Sequence, residues 1–128
     1  MTLEIIELSH VNVTVPQALE EATKHFYRVI LGLKQLQKPE GSRTNVGAWY
    51  QLGSMQLHLS IEDEIDNQAS DRHVCYVVRD VASAEQHFRD VGVAVIPDPR
   101  PIRGQPRIYV RDPGGNLIEI AQGPPTGA

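Results

Sequence analysis

The sequence predicts an α+β fold made of two βαβββ modules, and three observations support this. Segments rich in β-branched residues are interspersed with two segments of helical periodicity. The order strand, helix, three strands occurs twice within the 128 residues. The second half also repeats the residue pattern of the first half. We therefore expect a single domain over residues 1–128, with modules at 5–61 and 72–122 joined by a linker at 62–71.

The first module begins with an alternating, β-branched strand over residues 5–15, which ends at Pro16. Apolar residues at helical spacing then predict a helix over 17–31, and Gly32 is placed to end it. Gly53-Ser54 separates two further alternating segments and is typical of a tight hairpin. The three strands that complete the module are predicted at 33–39, 46–52 and 55–61.

The second module repeats this order after the polar, acidic stretch 62–71, which has no apolar periodicity. Its first strand is predicted at 72–78 and its helix at 81–91, before Gly92. A loop rich in proline and arginine, 98–105, interrupts the strands that follow. These last three strands are predicted at 93–96, 107–111 and 117–121.

The two modules align residue by residue. The first strands align at an offset of 63 residues, the helices at 62 and the last strands at 61. Nearly constant offsets over three separate elements indicate an internal duplication. The duplication pairs His10 with His73, and His58 with Glu119.

These four residues are all of metal-ligand types, and each lies in a strand dominated by aliphatic residues. Because side chains alternate along a strand, the aliphatic face can pack on an outer helix while the other face lines a polar cup. We expect a curved mixed sheet around this cup. Three neutral imidazoles and one carboxylate suit Zn, Ni, Fe or Mn. The alternative is a polar strand face that is simply open to water, as in many antiparallel sheets.

Four further side chains are candidates for substrate binding. Asn12 shares a strand face with His10. Arg107 and Tyr109 share a face of a later strand and could bind an anionic substrate, which a cationic metal site would also favour. Trp49 is the only tryptophan, and lining of the cup and packing in the core are equally consistent with its position.

Composition excludes several classes of function. The formal net charge of −4 argues against non-specific binding to nucleic acid. The sequence lacks an apolar run of the ~20 residues that cross a bilayer, and its start is not that of a signal peptide. A single cysteine excludes a disulfide or a cysteine-rich zinc site within one chain. We therefore expect a cytoplasmic protein with a small-molecule substrate and no nucleic-acid or membrane partner.

The whole pattern resembles the vicinal oxygen chelate superfamily, the group of glyoxalases, bleomycin-resistance proteins and extradiol dioxygenases. The resemblance extends over about residues 8–122. The matching motifs are residues 10–13 (HVNV), 25–33 (HFYRVILGL), 73–74 (HV) and 111–119 (RDPGGNLIE).

The resemblance implies a divalent metal bound by His10, His58, His73 and Glu119. It implies an enzyme that chelates a small oxygen-rich substrate and stabilises an anionic intermediate by Lewis-acid catalysis, with lyase or isomerase chemistry favoured over dioxygenase chemistry. It also implies a homodimer in which each site draws His10 and His58 from one chain and His73 and Glu119 from the other.

His58 departs from the best-known members of the superfamily. Glyoxalase I usually has Glu or Gln at this position, whereas extradiol dioxygenases and fosfomycin-resistance proteins have no ligand there. His58 either binds the metal or acts on the substrate as an acid or base, so His58 and Glu119 are the candidate catalytic residues. A second class of function stays open: a metal-free small-molecule binding protein of the bleomycin-resistance type.

Overall fold

The computed structural model describes residues 2–42 and 46–123. The stretch between the strands predicted at 33–39 and 46–52 therefore lies partly outside the described residues. The chain divides into two compact units, Met1–Glu64 and Ile65–Ala128, here called unit 1 and unit 2. In the described residues each unit has a mixed four-stranded sheet and the order strand, helix, three strands, and unit 2 has a 3₁₀ turn before its first strand. The predicted α+β fold with two βαβββ modules is thereby confirmed.

Unit 1 contains a sheet in the order β1-β4-β3-β2, in which β1 runs parallel to β4 and the other neighbours are antiparallel. Its strands are β1 (His10–Val15), β2 (Gln35–Leu36), β3 (Ala48–Leu52) and β4 (Met55–Ile61). Its helical segment begins with a 3₁₀ turn at Gln17–Leu19, continues as α1 (Glu20–His25) and ends as a π-helical turn at Phe26–Ile30.

Unit 2 repeats this topology with the order β5-β8-β7-β6, and β5 runs parallel to β8. Its strands are β5 (His73–Val78), β6 (Ile96–Pro97), β7 (Arg107–Arg111) and β8 (Leu117–Gln122). Its helix is α2 (Val81–Asp90), which Asp80 caps by accepting a hydrogen bond from the Ala82 amide. No helix in the described part of the chain is long and apolar enough to cross a membrane.

Each sheet buries one face against its own helix. In unit 1 the ring of Tyr27, in the π-helical turn, lies 5.9 Å from the ring of Tyr50 on β3. Leu57 on β4 pairs with Tyr50 across the sheet and is fully buried. In unit 2 α2 contacts β7 and β8, and the buried residues there include Phe88 and Ile118. Within each unit, the predicted site residues lie on the opposite face of the sheet.

The predicted bounds are wrong at several strand ends, and pairing explains the first case. β1 begins at His10 rather than at residue 5, although the alternation extends further back. His10 pairs with Gln56 in the parallel neighbour β4. β4 begins only one residue earlier, at Met55, directly after the Gly53-Ser54 hairpin. Residues 5–9 therefore have no partner strand, and Ile5 and Ile6 are exposed.

Other elements are shorter or more varied than the sequence predicts. β2 has only two residues, and β6 occupies 96–97 instead of 93–96; Pro97, which lacks an amide hydrogen, is tolerated there because β6 is an edge strand. The helix predicted over 17–31 is not one continuous α-helix. The stretch 62–71 contains a 3₁₀ turn, Asn67–Ala69, in which Asn67 is buried and donates a hydrogen bond to the Gly114 carbonyl at 3.0 Å.

Candidate functional site

In unit 1 the predicted site residues form a stack of three rings across the sheet. Register places Asn12, His58 and Trp49 in one row on β1, β4 and β3. The His58 ring lies 4.0 Å from the Trp49 ring at an interplanar angle of 4°. On its other side it lies 4.0 Å from the His10 ring at 13°. His58 is thus held between two rings, with its ring edges left to bind other groups.

The surroundings of His58 favour its neutral form. Burial lowers the pKa of this imidazole, and the neighbouring His10 and Lys38 lower it further. Its Nε2 lies 2.9 Å from Oε1 of Gln56, an atom that only accepts hydrogen bonds. This bond assigns the proton to Nε2 and the lone pair to Nδ1. A neutral ring with a free lone pair can ligate a metal ion or accept a proton.

Asn12 lies beside this stack on β1. Its Oδ1 accepts a hydrogen bond of 2.8 Å from the Ser60 hydroxyl, which fixes the orientation of the amide. The strand alternation that placed Asn12 on the same face as His10 is consistent with this arrangement. Gln56 accepts the hydrogen bond that defines the tautomer of His58. The sequence did not predict this role, because it depends on the side-chain rotamers of Gln56 and His58.

In unit 2 His73 on β5 faces Glu119 on the adjacent strand β8. Nε2 of His73 lies 3.1 Å from Oε1 of Glu119. Nδ1 of the same ring lies 2.9 Å from the carbonyl oxygen of Asp71, and a carbonyl can only accept, so Nδ1 carries a proton. A hydrogen bond from one ring nitrogen to a carbonyl is also how metal-binding histidines are commonly oriented.

The spacing of these two donor atoms fits a shared metal ion. Since ligand distances to Zn are about 2.0–2.1 Å, two donor atoms 3.1 Å apart are close enough that His73 and Glu119 could both hold one ion. Glu119 is mostly buried, with 12% of its side chain exposed, so its charge requires a partner.

Three more side chains surround Glu119. Nη1 of Arg107 lies 3.7 Å from its Oε2. Burial raises the pKa of the Tyr109 hydroxyl, and the charge of Glu119 raises it further. Burial also raises the pKa of the Cys75 thiol, to about 11, with added contributions from the charge of Glu119 and a hydrogen bond to it. Both Tyr109 and Cys75 are therefore protonated near neutral pH and present hydrogens to the carboxylate.

Arg107 connects this carboxylate to the loop between β6 and β7. Its Nε donates to Oδ2 of Asp98 at 2.7 Å, and its Nη2 donates to the Arg100 carbonyl at 3.1 Å. The hydrogen bond with Asp98 raises the pKa of Arg107 further, and the guanidinium is charged at any physiological pH. Sequence reasoning did not pair Arg107 with Asp98, because the path of an irregular loop leaves no periodic signal.

The structure brings the four candidate ligands together in pairs. His10 contacts His58 in unit 1, and His73 contacts Glu119 in unit 2. Within residues 2–42 and 46–123, no group of three or more His, Cys, Asp and Glu side chains is arranged to hold a metal ion. Each unit thus holds two of the four predicted ligand residues in contact with each other.

Comparison with known proteins connects this architecture to one superfamily. The family model for the Glyoxalase/Bleomycin resistance protein/Dioxygenase superfamily matches residues 7–120. A glyoxalase domain-containing protein of Mycosarcoma maydis is 27% identical over 130 residues, covering 93% of this chain and 69% of the relative.

Solved structures show the same fold. A glyoxalase family protein from Bacillus anthracis is 31% identical, with a TM-score of 0.83, over 97% of this chain and all of that one. A lactoylglutathione lyase from Agrobacterium tumefaciens is 21% identical, with a TM-score of 0.72, over 94% of this chain and 96% of that one. At that level of identity the second likeness concerns the fold alone.

Proposed function

The chain belongs to the glyoxalase, bleomycin resistance protein and dioxygenase superfamily, and on this premise we propose that it is a divalent-metal-dependent enzyme. Its substrate is a small, oxygen-rich molecule bound through neighbouring oxygens. The reaction is of the lyase or isomerase type. The ligands are His10, His58, His73 and Glu119, and the ion is Zn, Ni, Fe or Mn.

The observation that carries this proposal is the contact between His73 and Glu119. Since Nδ1 of His73 donates to Asp71, a neutral ring directs a lone pair from Nε2 at the carboxylate 3.1 Å away. Two acceptors at this distance repel each other unless a proton or a cation lies between them. Because members of this superfamily typically use a divalent metal, a divalent cation is the occupant that we propose.

A complete ligand set needs both pairs of donors. We propose that the protein is a homodimer and that each metal site combines His10 and His58 of one chain with His73 and Glu119 of the other. With three neutral imidazoles and one carboxylate, a divalent ion leaves the site with a net charge of about +1. An anionic or oxygen-rich substrate complements that charge.

The residues around the ligands suggest roles in the reaction. The metal, when bound, supplies Lewis-acid stabilisation of negative charge on the substrate oxygens. The Tyr109 hydroxyl, whose pKa is raised above an ordinary value of 10.0, is protonated at neutral pH and can donate a hydrogen bond to an oxygen of the substrate. If His58 is not a ligand, its neutral imidazole can accept a proton from a substrate carbon. Proton transfer of this kind supports lyase or isomerase chemistry over reaction with dioxygen.

Asn12, Trp49 and Arg107 complete the proposed substrate-binding set. Trp49 offers the face of its indole that is not stacked on His58. Arg107 contributes positive charge close to Glu119, although its strongest bonds are to Asp98.

The test is element-resolved metal analysis of protein purified without chelator. The proposal predicts one divalent ion per chain. Nickel or zinc would support the lyase or isomerase assignment, and iron would favour oxygen chemistry instead. Protein that purifies without metal and binds none on titration would reject the enzyme and leave the metal-free binding protein.

A further inference from the structure

A cavity of about 380 Å³ opens beside the candidate metal pair in unit 2. His73 and Tyr109 form part of its wall, and so do Arg100 and Arg111. Leu117 adds an apolar surface and Asp71 adds a single carboxylate. Because His73 belongs both to this cavity and to the proposed metal site, a molecule bound at the metal could extend into the cavity.

The charge of the cavity is positive, with two guanidinium groups against one carboxylate. The guanidinium of Arg111 donates to the backbone carbonyls of Asn67 and Gly115 at 3.3 and 2.8 Å, both of them uncharged groups that leave its positive charge in place. The side chain of Arg100 is exposed and forms no ion pair or hydrogen bond within the described parts of the chain. A guanidinium with its donors free is suited to bidentate binding of an oxyanion.

The backbone of Arg100 is nevertheless held in place. Its amide donates to Oδ1 of Asp98 at 2.9 Å, and its carbonyl accepts from Nη2 of Arg107 at 3.1 Å. Arg107 in turn binds the other carboxylate oxygen of Asp98. The loop is therefore fixed on both sides of Arg100 while the side chain stays available. Such preorganisation lowers the entropic cost of binding a ligand.

We propose that Arg100 binds an acidic group of the substrate, a carboxylate or a phosphonate, inside this cavity. That the acidic group belongs to a substrate rests on the proposed function. The anion-binding site itself is formed by residues of unit 2 alone. The substrate class is then a small organic acid with two neighbouring oxygens for the metal and a separate acidic group for Arg100. Asp98 and Arg107 act as positioning residues for this contact.

The test uses methylphosphonate and acetate as probes in protein stripped of metal and dialysed free of chelator. Binding is followed by NMR chemical-shift titration, which measures millimolar affinities. Arg100→Gln removes the proposed contact. Arg103→Gln is the matched control, because Arg103 lies exposed in the same loop and outside the lining of the cavity. We expect Arg100→Gln to weaken binding of the probes by about tenfold or more, and Arg103→Gln to leave it within about twofold.

Three results would overturn the proposal. The wild-type protein could fail to bind either probe, or both variants could lose affinity equally, which would indicate attraction by the general surface charge. The probes could also bind only after metal is added, with Arg100→Gln having no effect. In that last case the anion binds the ion itself, and the proposed metal function survives without the Arg100 site.

Discussion

Nε2 of His73 lies 3.1 Å from Oε1 of Glu119, although Nδ1 of the same ring already donates to the Asp71 carbonyl. Both ring nitrogens are therefore directed at acceptors. A neutral imidazole can satisfy only one of them with its single proton. The arrangement is satisfied by a second proton or by a cation between ring and carboxylate, and we propose a divalent metal at that position.

Removal of the negative ligand should weaken metal binding more than removal of His58. Glu119→Gln eliminates the only anionic donor, so the charge of the ion loses its main compensation. We expect affinity for zinc to fall more than about 100-fold, beyond the 10- to 100-fold cost of changing an outer-shell partner, and to fall less for His58→Ala. Competition with a chromophoric chelator measures both. The control is Glu64→Gln, which changes an exposed carboxylate outside both sheets and should leave the affinity for zinc at the wild-type value. If Glu119→Gln also kept the wild-type affinity, Glu119 would not be a ligand.

Mixed dimers test whether each site is shared between chains. One variant carries His10→Ala with His58→Ala, and the other carries His73→Ala with Glu119→Gln. Neither homodimer should bind metal. A mixed dimer, with one chain of each kind, has one site with all four ligands intact and one site with none. Each mixed dimer should therefore bind one metal ion, half of what a wild-type dimer binds. No recovery in verified mixed dimers would show that the ligands belong to a single chain.

Stability at low pH should depend on Glu20. Burial alone would raise the pKa of this carboxyl, but hydrogen bonds from Lys24 and from the Gly47 amide outweigh burial and hold the pKa below its ordinary value of 4.5. The contribution of the ionised group is therefore complete above pH 4.5 and is lost as pH falls through the lower pKa of the folded state.

Urea unfolding measures this contribution. Glu20→Gln should lower the free energy of unfolding by about 1–3 kcal/mol at pH 7, and by less at pH 3. Glu21→Gln, at a side chain that is 87% exposed, should change it by less than about 0.5 kcal/mol. An equal loss for Glu20→Gln at both pH values would show that the ionised carboxylate is not what stabilises this contact.

The two faces of the unit 2 sheet should respond differently to truncation. Ile118 on β8 is 1% exposed, and Ile118→Ala should destabilise the protein by about 2–5 kcal/mol because it leaves a cavity in the core. Val77 on β5 is 69% exposed, so Val77→Ala should cost about 0.5 kcal/mol or less. Thermal unfolding of both variants checks the assignment, and a large loss for Val77→Ala would reveal a covered surface.

Strand alternation was sufficient to predict the fold because each sheet buries only one face. Strand alternation predicted β4 and β7 with their observed bounds. The Gly53-Ser54 turn sets the start of β4, and the turn at 112–116 sets the end of β7. Strand alternation failed at the start of β1. The pattern in residues 5–9 does not reveal that β4 begins at Met55, too late in the chain to pair with them. Strand length depends on the partner, which periodicity within one segment does not show.

The four candidate ligands were predicted from the duplication, and the resemblance grouped His10 with His58 and His73 with Glu119. Within unit 1, His10 and His58 are in contact on the parallel strands β1 and β4. The other contacts of these residues were not predicted. The stack of Trp49 on His58 and the bond from Arg107 to Asp98 depend on register and on the course of a loop. Neither property is encoded in residue spacing alone.

Titration of the chelator-stripped protein with zinc or nickel tests the metal assignment most directly. Trp49 is the only tryptophan and stacks on His58 at 4.0 Å, so its fluorescence reports changes at the ligands while gel filtration followed by metal analysis counts the retained ions. We expect saturation at one ion per chain, with a change in Trp49 emission. The variant that combines His73→Ala with Glu119→Gln should lose the retained metal. Wild-type protein that retains no ion, or a double variant that retains as much as the wild type, would contradict the metal assignment.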